Sequence, residues 1–293
     1  MSQTEPVILE VALNGVTRKE QNPTAPVAPE EIAEDALRCL EAGAAVVHTH
    51  SDRPAGSPRE AADRYLQAYR PILAARPDAI LYPTVGFGGD PAQRFDHQRL
   101  LAEEGAIRAA VLDPGSVNLG ATAPDGWPIP MDFAYVNSPN DIRRMAAVCG
   151  EAQLGPSIAI FEPGFLRVVV AAARVGALPP GALVKLYFSA GGYLGAGEPI
   201  FGAPPIPEAL DLYLAILGDT ELPWAVAVLG GSVFDSGMAA LALRRGGHLR
   251  VGLEDDAGAK SNLEEVLRAA ELARRCGRRL ATPDEAAGRL ALP

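Results

Sequence analysis

Two histidines one residue apart close a short apolar run, Val46-Val47-His48-Thr49-His50. In an extended strand residues i and i+2 point the same way, so both imidazoles can converge on one point while Thr49 turns to packing. Converging neutral imidazoles suit a borderline-soft cation such as Zn²⁺. The pair alone fits buried packing equally well, so a metal reading needs a third ligand. The stretch "GGHLRVGLEDD" (246–256) carries His248, Arg250 and Glu254 at one parity, with Asp255 next. Glu254 would complete a His₂Glu set with an open coordination position, the pattern of catalytic rather than structural zinc. Arg250 is a charge inside an apolar run and needs a partner there, for which Asp255 is the nearest choice. Such a dyad offers a carboxylate held in place as general base and a guanidinium that could grip a substrate carboxylate. It also fits a structural ion pair.

These residues can meet only if the fold brings residues 48–50 and 254 together. Eight short apolar runs read as strands: 7–13, 44–50, 79–85, 107–113, 157–162, 182–189, 224–230 and 248–254. Most are near-continuously apolar, as parallel strands buried on both faces are. Helical patterns separate them, the first closing at Gly43, the second capped by Ser57-Pro58, and others at 91–104, 139–153, 164–176, 206–217, 235–245 and 261–276. Pro and acidic residues at their starts are helix-opening signals. Eight such units predict a single (β/α)₈ TIM barrel over 1–293, with an extra C-terminal helix at about 282–291. An open doubly wound sheet also alternates strand and helix. No GxGxxG follows the first strand, only Asn14-Gly15, which weakens that alternative. In a closed barrel the eighth strand neighbours the first and the second lies just beyond, so Glu254 can reach His48 and His50. His248, lower on the same strand, is expected to be structural, and His97, among polar residues, to lie on the surface. The long Gly- and Pro-rich loop after strand four is expected to cover the site.

Composition narrows the partners. A net charge of −10 argues against nucleic acid or an anionic membrane, and 48% hydrophobic residues suffice for a large core. No apolar run has the length of a membrane span, and no signal peptide is visible. Three scattered cysteines without CxxC spacing suggest reduced thiols. The expectation is a cytoplasmic protein without disulfides.

At this point "NGVTRKEQNPTAPVAPEEIAEDALRCLEAGAAVVHTHSD" and "GGHLRVGLEDD", followed by "SNLEEV" and "GRRLATPDEA", carry a resemblance. They are similar to the N- and C-terminal signatures of the β-keto acid cleavage enzymes, typified by 3-keto-5-aminohexanoate cleavage enzyme. The resemblance spans nearly the whole chain. It implies a zinc-dependent barrel, a homo-oligomer (dimer or tetramer), that exchanges a β-keto acid and acetyl-CoA for acetoacetate and a new acyl-CoA. It makes His48, His50 and Glu254 the metal ligands and Arg250 and Asp255 the catalytic dyad. It places Thr84, Ser116, Asn118 and Asn14 as substrate-binding residues, with Asn137 in the same cleft. The implied chemistry has zinc chelating the keto acid and Asp255 removing the proton next to the carbonyl.

The chain departs from the family pattern where the far end of the substrate would be read. Asn14 and Val16 stand where a Glu is often found, and Ser157-Ile158-Ala159-Ile160-Phe161-Glu162 replaces Glu-x-Glu-x-Phe-Asp. An ammonium-bearing tail is therefore disfavoured. Turns at 229–232 and 258–262, with Lys260, are candidate phosphate sites for CoA, or only tight turns. Three rival functions remain: a zinc-dependent amide or ester hydrolase, a Schiff-base aldolase using Lys185, and a non-catalytic ligand-binding barrel. Lys185 could equally hold a substrate carboxylate or face a helix.

Overall fold

The computed structural model describes residues 5–53, 55–86, 91–191 and 197–292. Eight strands alternate with helices in chain order. The first half runs β1 (Leu9–Ala12), α1 (Pro29–Glu41), β2 (Val46–Thr49), α2 (Pro58–Ala75), β3 (Ile80–Pro83), α3 (Pro91–Glu103), β4 (Ala109–Leu112) and α4 (Pro139–Glu151). The second runs β5 (Gly155–Ile160), α5 (Pro163–Arg174), β6 (Leu183–Ser189), α6 (Pro207–Leu217), β7 (Trp224–Leu229), α7 (Met238–Arg244), β8 (His248–Val251), α8 (Asn262–Arg275) and α9 (Pro283–Leu290). Seven of these nine helices start on a proline, which fixes a helical φ and wastes no hydrogen bond at the first turn. Ser57, Ser138, Ser261 and Thr282 add side-chain caps.

All paired strands are parallel, in the order β3-β2-β1-β8-β7-β6-β5-β4. The Arg108 N–H donates to Leu81 O at 3.4 Å, drawing β4 back toward β3, so the sheet is a nearly closed (β/α)₈ barrel. Leu9 and Val11 join the apolar layer under the helices, where each fully buried large side chain contributes about 1.5–3 kcal/mol. Glu10, between them, meets β3, β6 and β8 side chains across the barrel. Beneath the barrel, Leu290 and Leu292 of the α9 segment lie against the starts of β2 to β6. Among the described residues no helix is long and apolar enough to cross a membrane.

Two of the boundary differences from the sequence expectation bear on the site. Strand β8 stops at Val251, and Gly252 to Asp255 form a turn, with the Asp255 N–H returning to Gly252 O. Helix α7 starts at Met238, so the 229–232 turn does not open directly onto a helix.

Candidate functional site

The site is built where the C-terminal ends of β1, β2 and β8 adjoin. Ala12 pairs with His48, and Glu10 pairs with Arg250, fixing the height of each side chain. After β1 the chain turns at Gly15, with φ +53°, where a Cβ would lie 2.3 Å from Glu254 Cγ. Gly252, with φ +133°, is equally constrained, since a Cβ there would meet Ala12 O at 2.2 Å. Only glycine permits this close approach, and the two glycines together let Glu254 lean over the end of β1. Thr17 Oγ1 donates to Leu253 O at 2.7 Å and pins the turn.

His48, His50 and Glu254 each offer a ligand atom within 4.8 Å of the others. His48 Nε2 is 3.4 Å from Glu254 Oε2, and His50 Nε2 is 3.4 Å from Glu254 Oε1. Four-coordinate zinc with ligands at about 2.0–2.1 Å spaces them roughly 3.3–3.4 Å apart, so this donor set fits the ion. Burial keeps His48 neutral by pushing its pKa well down, against the pull of Glu254, and neutral imidazole is the ligating form. Burial raises the Glu254 carboxyl, but Arg250, His48 and His50 outweigh that and hold it well below the usual range. Glu254 Oε2 has no hydrogen-bond partner, as an oxygen reserved for a cation would.

Behind the triad lies a buried ionic network. Arg250 Nε and Nη2 grip Asp255 at 2.9 and 3.1 Å, and Nη2 also lies 3.0 Å from Glu254 Oε1. Its Nη1 donates to Glu10 Oε1 at 2.6 Å and to Tyr82 Oη at 3.3 Å. Four hydrogen bonds and an ion-pair contact with Glu254 thus face the five N–H groups from inside the protein. Glu10 Oε1 also accepts from the Tyr82 hydroxyl and lies 3.5 Å from Lys185 Nζ. Burial raises the Glu10 carboxyl, but Lys185 and Arg250 reverse that and keep it ionised. Burial pushes Asp255 up to about 6 despite Arg250, with Glu254 adding to the rise.

A chamber of about 390 Å³ opens onto the triad. Its lining includes the polar Lys185, Arg250 and Tyr82 and the apolar Val111, Leu119, Phe133, Ala159 and Phe161. Leu119, Phe133 and Tyr135 come from the long segment after β4, so that segment walls the chamber. Asp113, at the end of β4, also lines it and accepts from the Tyr135 hydroxyl. Asp113 Oδ1 has no hydrogen-bond partner, and the Ala159 N–H leans toward the carboxyl without closing a bond. Burial raises Asp113, against Tyr135 and Lys185.

The other sequence candidates divide. Thr84 lines the chamber; Ser116, Asn118, Asn14 and Asp255 are not among the residues around it. Ser116 instead accepts from the Asn137 N–H at 2.9 Å and donates to Asn137 O, latching the loop. Asn137 is buried and accepts from Arg94. Asn14 clasps the backbone of His50. Lys260, 82% exposed, pairs with Glu264 at the start of α8. His97 is not on the surface: it is 1% exposed, its Nε2 2.8 Å from Thr84 O, and stacked on Tyr65. His248 is fully buried and accepts the Ile8 N–H on Nδ1. Thr49 is likewise buried against Tyr69. Sequence reasoning missed Glu10, Tyr82, Asp113 and Tyr135. The lone acid inside the first apolar strand was the available signal for Glu10.

Comparison with known proteins identifies the family. The family model for beta-keto acid cleavage enzyme matches residues 6–292. A 3-keto-5-aminohexanoate cleavage enzyme of Fusobacterium nucleatum is 32% identical over 289 residues, 96% of either chain. A 3-oxoadipate:acetyl-CoA acetyltransferase of Cupriavidus necator is 29% identical over 300 residues, 99% of this chain and 96% of that one. Among solved structures, apo ObcA superposes with a TM-score of 0.67 at 20% identity, over 92% of this chain and 66% of that one. That last likeness bears on the fold alone.

Proposed function

The chain belongs to the β-keto acid cleavage enzyme family, and from that premise we propose that it converts a β-keto acid and acetyl-CoA into acetoacetate and a new acyl-CoA. The observation that carries this reading is the convergence of His48, His50 and Glu254 in the wall of a chamber lined by both charged and apolar side chains. Zinc suits the donor set, and His48, His50 and Glu254 would hold it. Bound there, the cation supplies Lewis-acid polarisation of the keto carbonyl, which acidifies the carbon between that carbonyl and the carboxylate.

The chain's own residues then have distinct tasks. Asp255 takes the proton from that carbon. Arg250 occupies one lone pair on each Asp255 oxygen, which orients the carboxylate and leaves the other lone pairs to receive a proton. Leu119, Phe133 and Tyr135 exclude water from the reacting carbon, which keeps the acyl group for transfer rather than hydrolysis. Asp255 is not itself among the residues around the chamber. Asp113, with an unpartnered oxygen in the chamber wall, is the alternative acceptor.

The test is a panel of β-keto acids with acetyl-CoA, read as acetoacetate formed, on protein of measured metal content. CoA-dependent consumption of one of them, with zinc bound, is expected. Hydrolysis of amides or esters without any CoA-dependent transfer would replace this reading with a metal-dependent hydrolase.

A further inference from the structure

The donor count around the chamber singles out one side chain. Of the two cations in its wall, Arg250 makes four hydrogen bonds and an ion pair with Glu254 inside the protein. Lys185 is less engaged. Its Nζ donates to Tyr82 Oη at 2.8 Å and forms an ion pair with Glu10 Oε1 at 3.5 Å, which engages at most two of three N–H groups. The third has no acceptor among the described residues, and Lys185 lines the chamber. The ammonium is 4% exposed at the side chain and lies 5.0 Å from the Tyr82 ring centre and 5.9 Å from that of Tyr187. Such rings hold a cation in place without consuming its donors.

We propose that Lys185 binds the carboxylate of the β-keto acid through this remaining N–H. The assignment rests on the function proposed above for its choice of ligand, though the anion site itself is set by the donor count. Glu10 and Tyr82 act as positioning residues, because they fix where the ammonium points. One carboxylate oxygen faces Lys185 and the other remains for the His48–His50–Glu254 end. The substrate tail is left to Val111, Leu119, Phe133 and Phe161. Burial lowers the Lys185 pKa, with Glu10 opposing the fall, so a Schiff-base role for the same amine is separated from carboxylate binding by the borohydride experiment below.

Calorimetric titration with acetoacetate tests the assignment. Lys185→Met alone leaves Glu10 short of a partner and risks misfolding, so Glu10→Gln/Lys185→Met, which removes both charges, is compared with Glu10→Gln. The double variant should bind acetoacetate at least about tenfold more weakly than Glu10→Gln, the scale of a charge-assisted hydrogen bond. Binding of 4-hydroxy-2-butanone, which lacks the carboxylate, should stay within about twofold. In turnover, KM for the keto acid should rise more than kcat falls. Equal acetoacetate affinity in the two variants overturns the assignment, as does a wild-type protein that binds acetoacetate no better than the hydroxyketone. Borohydride trapping of acetoacetate on Lys185 overturns it as well. A wild-type protein with Lys185-dependent acetoacetate binding but no acyl transfer refutes the proposed function and leaves the anion site standing.

Discussion

Asn14 holds the backbone of His50 from both sides: its Oδ1 accepts the His50 N–H at 2.8 Å, and its Nδ2 donates to the His50 carbonyl at 3.1 Å. His50 lies just beyond the end of β2, where ladder hydrogen bonds no longer fix it. The side chain of Asn14 replaces them. The aim of the imidazole therefore depends on a residue that makes no contact with a metal.

Asn14→Ala should weaken zinc binding by roughly 10–100-fold while the barrel stays folded, the usual cost of losing an outer-shell contact. Competition with a chelator of known affinity, alongside a thermal melt, measures both. Unchanged metal affinity in the variant would show that His50 is aimed by something else.

Removing a ligand should do more. Glu254→Ala, or His48→Ala with His50→Ala, should reduce bound zinc from about one ion per chain to near none, and transfer should vanish with it. Elemental analysis of the purified variants reads the first quantity and acetoacetate formation the second. Full activity in a metal-free double-histidine variant would remove the ion from the reaction.

Barrel and triad were legible in the sequence for the same reason. Near-continuous apolar strands between proline-opened helices leave few folds other than a barrel, and strand parity aims His48 and His50 together. The turn at Gly252 shows where parity reasoning stopped: Glu254 reaches the histidines from beyond the end of β8. Glu10 was hidden because one acid inside "VILEVAL" reveals no partner until β3, β6 and β8 close around it. Asn14 read as a substrate contact because its backbone clasp exists only once the ends of β1 and β2 adjoin. His97 read as exposed because its neighbours are polar, yet the turn it occupies also buries Phe95 and Gln98.

Asp255 and Asp113 are separated by kinetics. Asp255→Asn keeps the shape and can accept one of the two Arg250 hydrogen bonds on its remaining oxygen, but it cannot take a proton. It should lower kcat by about 10²–10⁴-fold with zinc still bound. Asp113→Asn should alter KM and the preference among keto acids, with kcat held within about tenfold. Steady-state kinetics on three keto acids of different tail charge decide the matter, and the opposite pattern transfers the base to Asp113.

Stability should fall in acid through two buried histidines outside the metal triad. Burial pushes His248 down to about 3 and His97 down to about 4, so both are neutral in the folded protein. Unfolded, each titrates near 6.5. Below that pH the unfolded chain binds more protons than the folded one, which favours unfolding. Their stabilising contribution is complete above about pH 6.5 and is lost as pH falls toward the folded values. At pH 5 each histidine should already have lost about 2 kcal/mol, from the gap between folded and unfolded values. His248→Asn places Oδ1 where Nδ1 accepts the Ile8 N–H and has no proton to gain, so it should lose about 2 kcal/mol less than the wild type between pH 7.5 and 5. Urea unfolding at the two pH values checks this. Parallel losses in the two proteins would mean that His248 is protonated in the folded barrel.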